Sequence, residues 1–242
     1  MKPLRQRSLT PEATHMASEE FDRTAVDFEA LYQGESLTEG LEGLPWDIGQ
    51  VQPVVEESER AGRFAGAVLD VGCGLGDNAI FLASRGYRVT GIDGAPTAIE
   101  QARERAAAKA VDVEFAVADA TNLVDYKDRF DSVLDSALYH CLVEEQRHQY
   151  VAGLHAATKP NALFTLFCFA DVDGMPPQMA ISQENLRDTL TPAGWSITDL
   201  RQVIYLAAPS MAVMATKMGF HLEQDKTGHL QLPVWSLHAV RA

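Results

Sequence analysis

The stretch Gly66-Ala67-Val68-Leu69-Asp70-Val71-Gly72-Cys73-Gly74-Leu75-Gly76-Asp77 decides the fold. Its apolar start reads as a strand, the residues from Asp77 onward read as a helix, and a glycine-rich turn joins them. In that order the three make a cradle for a small ligand carrying phosphate-like or carboxylate groups. Glycines let the backbone come close, and a helix start offers unpaired N–H groups to negative charge. The loop alone leaves its ligand open. The dinucleotide fingerprint G-x-G-x-x-G needs a glycine where this chain has Asp77, and the pattern present is D-x-G-x-G-x-G.

Downstream, strands and helices alternate. Ala67 to Val71 is the first strand, and the helix after the loop ends at Gly86. Tyr87 to Ile92 is a second strand closed by Asp93, and Pro96 opens an alanine-rich helix through Ala110. Val113 to Ala118 and Phe130 to Leu134 are strands ending at Asp119 and at Asp135-Ser136. A helix from Glu144 to Thr158 stops before Lys159-Pro160, and Ala162 to Phe169 is a fifth strand. Such alternation predicts an α/β fold: a doubly wound, mostly parallel sheet with helices on both faces. Ligands bind such sheets beyond the carboxyl ends of the strands, where Asp93, Asp119 and Asp135 all fall. Further on, Ser182 caps a helix through Leu190, and Ser196 to Leu206 and Leu230 to Val240 alternate as strands. Between those strands, Met211, Met214 and Met218 recur at helical spacing, which favours core packing over a soft substrate pocket.

The 242 residues suit one domain. Residues 1–20 read as a mobile tail and 21–242 as a single domain. Within it, 21–63 form an N-terminal lid, 64–169 a cofactor-binding half and 170–242 a substrate-side elaboration. The polar start lacks the apolar core of a secretory signal and no apolar run reaches membrane-spanning length, so a soluble, cytoplasmic protein is expected. A formal charge of −14, from 20 basic and 34 acidic residues, opposes nucleic acid and anionic membranes as partners. The sequence does not set the oligomeric state. Three scattered cysteines, Cys73, Cys141 and Cys168, make neither a disulfide framework nor a zinc site, and no metal is expected. Cys73 reads as a small packing residue of the loop.

The ordered set of D-V-G-C-G-L-G, Asp93, Asp119-Ala120 and the Phe130–Asp135 strand resembles class I methyltransferases that use S-adenosylmethionine, over roughly residues 67–169. Tyr32-Gln33-Gly34-Glu35-Ser36, Pro45-Trp46-Asp47-Ile48-Gly49 and Asp135-Ser136-Ala137-Leu138-Tyr139-His140 look more narrowly like the actinobacterial heterocyclic-toxin methyltransferases. The resemblance implies a seven-stranded Rossmann-like sheet with S-adenosylmethionine as cofactor and methyl transfer to an O, N or S atom of a small aromatic or heterocyclic acceptor. It also implies roles. Gly72, Cys73 and Gly74 would adjoin the methionine end, and Asp93-Gly94 the ribose. Asp119 and Ala120 would serve the adenine, and the Asp135-Ser136 segment the ammonium group. Tyr32 and Trp46 would cover the ligands as lid or as plain packing. Methyl transfer needs alignment rather than a protein nucleophile. His140 is the candidate base, with a loop hydrogen bond as its alternative, whereas His148 and His155 read as surface or packing residues. A nicotinamide-dependent oxidoreductase and a non-catalytic cofactor-binding module remain the competing readings.

Overall fold

A computed structural model describes residues 26–172, 175, 179–217, 219 and 221–242. The expected tail over residues 1–20, the start of the lid, Asp173-Gly174, Pro176-Pro177 and Met218 lie outside the described residues.

Helix α1 (Phe28–Tyr32) is capped by Asp27, whose carboxylate accepts the Ala30 N–H at 3.0 Å. α2 (Pro53–Arg60) begins at Pro53, which occupies the first turn and whose rigid φ sets the start. Then come β1 (Ala67–Val71), α3 (Asp77–Ser84), β2 (Arg88–Asp93), α4 (Pro96–Ala108), β3 (Glu114–Val117) and β4 (Phe130–Ser136). α5 (Glu144–Ala157), β5 (Thr158–Phe169), α6 (Gln183–Leu190), β6 (Trp195–Ala207), α7 (Met211–Lys217) and β7 (Leu230–Arg241) complete the order. Two short 3₁₀ turns, Val124–Tyr126 and Tyr139–Cys141, flank β4.

The seven strands form one sheet in the order β3-β2-β1-β4-β5-β7-β6. β7 alone runs against its neighbours, pairing Leu163 with Val240 through Phe169 with Val234, and Trp195 with Arg241 through Ala207 with Leu230. The carboxyl ends of β5 and β6 therefore share one sheet edge with the start of β7. β5 begins four residues earlier than its apolar pattern indicates. Pro160 cannot donate to the ladder, and the chain absorbs it in a register shift opposite Phe130 and Ser132, with Asn161 at φ 65°. Apolar side chains pack both faces: Val68, Ile80, Ile99 and Phe167 belong to one core layer, Leu69, Val133, Leu154 and Trp195 to the other. Among the described residues no helix is long and apolar enough to cross a membrane.

Candidate active site

One cavity of about 1080 Å³ opens along the carboxyl ends of the strands. It is lined by the β1–α3 loop, the residues following β2, β3 and β4, the segment from Val26 to Gln52, and residues of β6, α7 and β7. Tyr32, Trp46, Gly72, Cys73, Gly74, Asp93, Gly94, Asp119, Ala120 and His140 all line it.

Two glycines of the loop are required by their neighbours as well as by any ligand. Gly72 has φ 69°, and a Cβ there would stand 3.0 Å from that of Leu138. Gly74 has φ 51°, and a Cβ would come within 2.8 Å of the Tyr32 hydroxyl. The loop thus admits the Tyr32 hydroxyl directly over its backbone. The Trp46 indole N–H donates to that same hydroxyl at 3.2 Å, and Phe28 packs against Trp46 with ring centroids 5.8 Å apart. Burial and the nearby Asp93 push the Tyr32 phenol far above its usual range, so it stays a neutral donor.

Asp93 closes β2 and pins the loop: Oδ2 accepts the Gly74 N–H and Oδ1 the Ala95 N–H, each at 2.9 Å. A carboxylate oxygen accepts two hydrogen bonds, so each retains capacity toward ribose hydroxyls. Burial raises its pKa, opposed by those backbone donors. Asp119 makes a turn of its own, Oδ1 accepting the Thr121 N–H at 2.8 Å and its hydroxyl at 2.7 Å. The Cys73 thiol is pushed up well beyond its usual range by burial and by Asp70 and Asp93, which leaves it protonated and inert.

Asp135, expected in the cofactor set, is not among the lining residues. Alternation along β4 turns its carboxylate inward, where it accepts the Tyr150 hydroxyl at 2.7 Å and the Leu138 N–H at 2.8 Å. Ser136 and Ala137 face the cavity in its place. Asp70, the acid of the loop motif, is likewise interior: neither oxygen meets a hydrogen-bond partner among the described residues, although the Ala79 N–H bears on it.

His140 is buried and stacks on Phe169 with centroids 3.8 Å apart. Its Nδ1 accepts the Phe169 N–H at 3.4 Å. An Nδ1 that accepts carries no proton of its own. His155 sits far away, against Trp195 and Arg241.

Sequence reasoning missed several wall residues. Gln52 bonds the Leu206 carbonyl at 2.8 Å and accepts the Leu206 N–H at 3.2 Å, and the Tyr205 hydroxyl lies 2.8 Å from Ser136 Oγ. Their signal was absent because these contacts join residues far apart in the chain. Met211 and Met214 are buried in the core and also form part of the cavity wall.

Asp77 stands where the dinucleotide fingerprint has its third glycine. It occupies the first turn of α3, where a pyrophosphate would sit, and is ion-paired there with Arg105 and with Lys109 at 2.9 Å. The glycine cradle, the ribose-competent Asp93 and the acid-bordered cavity instead fit S-adenosylmethionine, a cationic ligand. A doubly wound sheet with one antiparallel strand near its edge, carrying this site at the strand ends, is the frame of class I methyltransferases.

A family model described as a methyltransferase domain matches residues 68–161. The chain is 32% identical over 222 residues to the 2-heptyl-1-hydroxyquinolin-4(1H)-one methyltransferase of Mycobacteroides abscessus, covering 88% of this chain and 96% of that one. A structure solved in work on the conversion of a disulfide bond into a thioacetal group during echinomycin biosynthesis is 31% identical. Its TM-score is 0.75, over 88% of this chain and 90% of the other. The 1,6-didemethyltoxoflavin-N1-methyltransferase of Burkholderia thailandensis, solved with 1,6-didemethyltoxoflavin and S-adenosylhomocysteine, shares the fold at 18% identity. Its TM-score is 0.58, over 99% and 94% of the two chains. The chain belongs to the S-adenosylmethionine-dependent methyltransferases.

Proposed function

We propose that the protein transfers a methyl group to an O, N or S atom of a small aromatic or heterocyclic acceptor. The observation that carries this reading is one continuous cavity whose polar, acid-bordered half adjoins an apolar half. The heterocyclic substrates named for the Mycobacteroides and Burkholderia relatives support the acceptor class.

When bound, S-adenosylmethionine supplies an electrophilic methyl group on a sulfonium. In this reading Asp93 and Gly94 hold the ribose, Asp119 and Ala120 the adenine, and Gly72, Cys73 and Gly74 the methionine end. Residues 26–52 act as the lid: Tyr32 and Trp46 exclude water and press the reactants together. Alignment of this kind is worth roughly 7–11 kcal/mol in well-oriented systems. The Phe169 ring and the stacked His140 offer a flat wall to an aromatic acceptor. In this reading His140 orients the acceptor from the cavity wall, and the base is its alternative role.

Methyl transfer from labelled S-adenosylmethionine to a panel of phenols, thiols and N-heterocycles tests the function. Cofactor binding without transfer to any of them would leave the non-catalytic module. For His140, His140→Ala is expected to lower kcat at least tenfold with cofactor affinity within threefold of wild type, and His140→Gln to recover part of the loss. A base would instead give a pH–rate limb that disappears in both variants.

A further inference from the structure

The cavity is larger than one ligand requires. Its volume of about 1080 Å³ exceeds the ~300–1,000 Å³ usual for a single small-molecule site. Its lining reaches from Val117–Ala120 after β3 to Tyr205–Ala207 on β6, which are opposite edges of the sheet. At about 4.8 Å per strand that span is roughly 29 Å.

The two halves differ in chemistry. The cofactor residues belong to the β3-β2-β1-β4 half. Beyond β4 the wall is Phe169, Met179, Met211, Met214 and Leu232, faced by Leu37 from the N-terminal segment. The polar groups of this half are already used by the protein. The Ser136 and Tyr205 hydroxyls satisfy each other, and both ends of the Gln52 amide are held by the Leu206 backbone. Among the described lining residues there is no lysine or arginine, so nothing there balances a ligand anion.

Resting on the methyltransferase reading, we propose that this half seats an uncharged, flexible alkyl arm of the acceptor, and that Met211 and Met214 determine the arm length accepted. Unbranched, polarisable methionines mould around a flexible chain, and three of them, Met179, Met211 and Met214, line this half beside Phe169. Met211 and Met214 project from α7 at a spacing of three, so they present one continuous soft surface.

The test uses the full chain with S-adenosylhomocysteine and 2-alkyl-4-quinolones bearing methyl, butyl and heptyl arms, together with a 2-(6-carboxyhexyl) analogue. Binding is read by calorimetry, so turnover is not needed. The expected result is a Kd that falls about fourfold per added methylene until the limb is filled. The carboxylate analogue should bind at least thirtyfold more weakly than the heptyl compound. Met214→Trp, verified as folded by its melting temperature, should reverse the order of heptyl and methyl compounds. Met214→Ala should move the optimum to longer arms, as a second variant that adds no bulk. A Kd independent of arm length, a carboxylate bound as tightly as the alkyl arm, or unchanged length preference in both variants would overturn the proposal. Failure of the protein to bind S-adenosylhomocysteine or S-adenosylmethionine would instead sink the methyltransferase reading, and the alkyl series alone would still decide whether the limb takes an apolar arm.

Discussion

Asp93 serves the loop and the cavity together, since the carboxylate that faces the cavity also holds the Gly74 and Ala95 N–H groups. Removing it strands two backbone donors and loses charge-assisted bonds worth ~1.5–3 kcal/mol each. Asp93→Ala is expected to weaken S-adenosylmethionine binding at least thirtyfold by calorimetry, and Asp93→Asn to weaken it less. Asp70 governs stability. Burial, with Asp135 and Asp93 nearby, pushes its pKa up to about 7, well above the ~3.9 of an unfolded aspartate. Between those values the unfolded chain has released a proton that the folded chain keeps. Stability therefore falls as pH rises through that window and levels off above about 7. Asp70→Asn should melt several degrees above wild type at pH 8, with the gap closing toward pH 4. Asp135, raised to about 6 by the same burial, leaves a residual slope in the variant. Asp93 and Asp119 were legible from the sequence because each ends an apolar run at a strand terminus. The inward turn of Asp135 was not, since one step along a strand exchanges the faces of the sheet.

Helix α4 acts as a clasp. Thr97, Gln101 and Arg105 recur every four residues on one face, and each binds the N-terminal segment. Thr97 donates its N–H at 3.0 Å and its hydroxyl at 2.5 Å to Glu29, Gln101 bonds the Tyr32 carbonyl at 3.0 Å, and Arg105 pairs with Asp47 at 2.8 Å. At the far edge the same segment is tied by Ala208 N–H to the Pro45 carbonyl at 2.8 Å and by Lys217 to Thr38 and Glu39. The segment is thus fastened to α4 on one side and to α7 and the residue Ala208 on the other. Arg105→Ala is expected to raise the Kd for S-adenosylmethionine about fivefold, with kcat at saturation little changed and altered Trp46 fluorescence on binding. Equal losses in kcat and affinity would argue against the clasp. Such a device is hard to read in a sequence. The strands could be read because apolar alternation is local. The clasp joins Arg105 to Asp47 across 58 positions, and either residue alone looks like an ordinary surface charge.

At the scale of the whole molecule, β7 reverses direction between β5 and β6 within the one sheet. β6 runs parallel to β5 through it, so Tyr205 and Leu206 lie at the same end of the sheet as the carboxyl ends of β1, β2 and β4. The charge of the chain, −14 overall, is continued at the cavity by Asp27, Glu29, Asp93 and Asp119. That field attracts a sulfonium cation from a distance and has far less hold on the uncharged thioether left after transfer. Stopped-flow association of S-adenosylmethionine should therefore slow steeply between 20 mM and 500 mM salt, while the dissociation rate of S-adenosylhomocysteine stays nearly flat. The acidic rim would then act as a one-way valve: it draws in the charged methyl donor and lets the spent, discharged carrier drift away, which shields the enzyme from clogging by its own by-product.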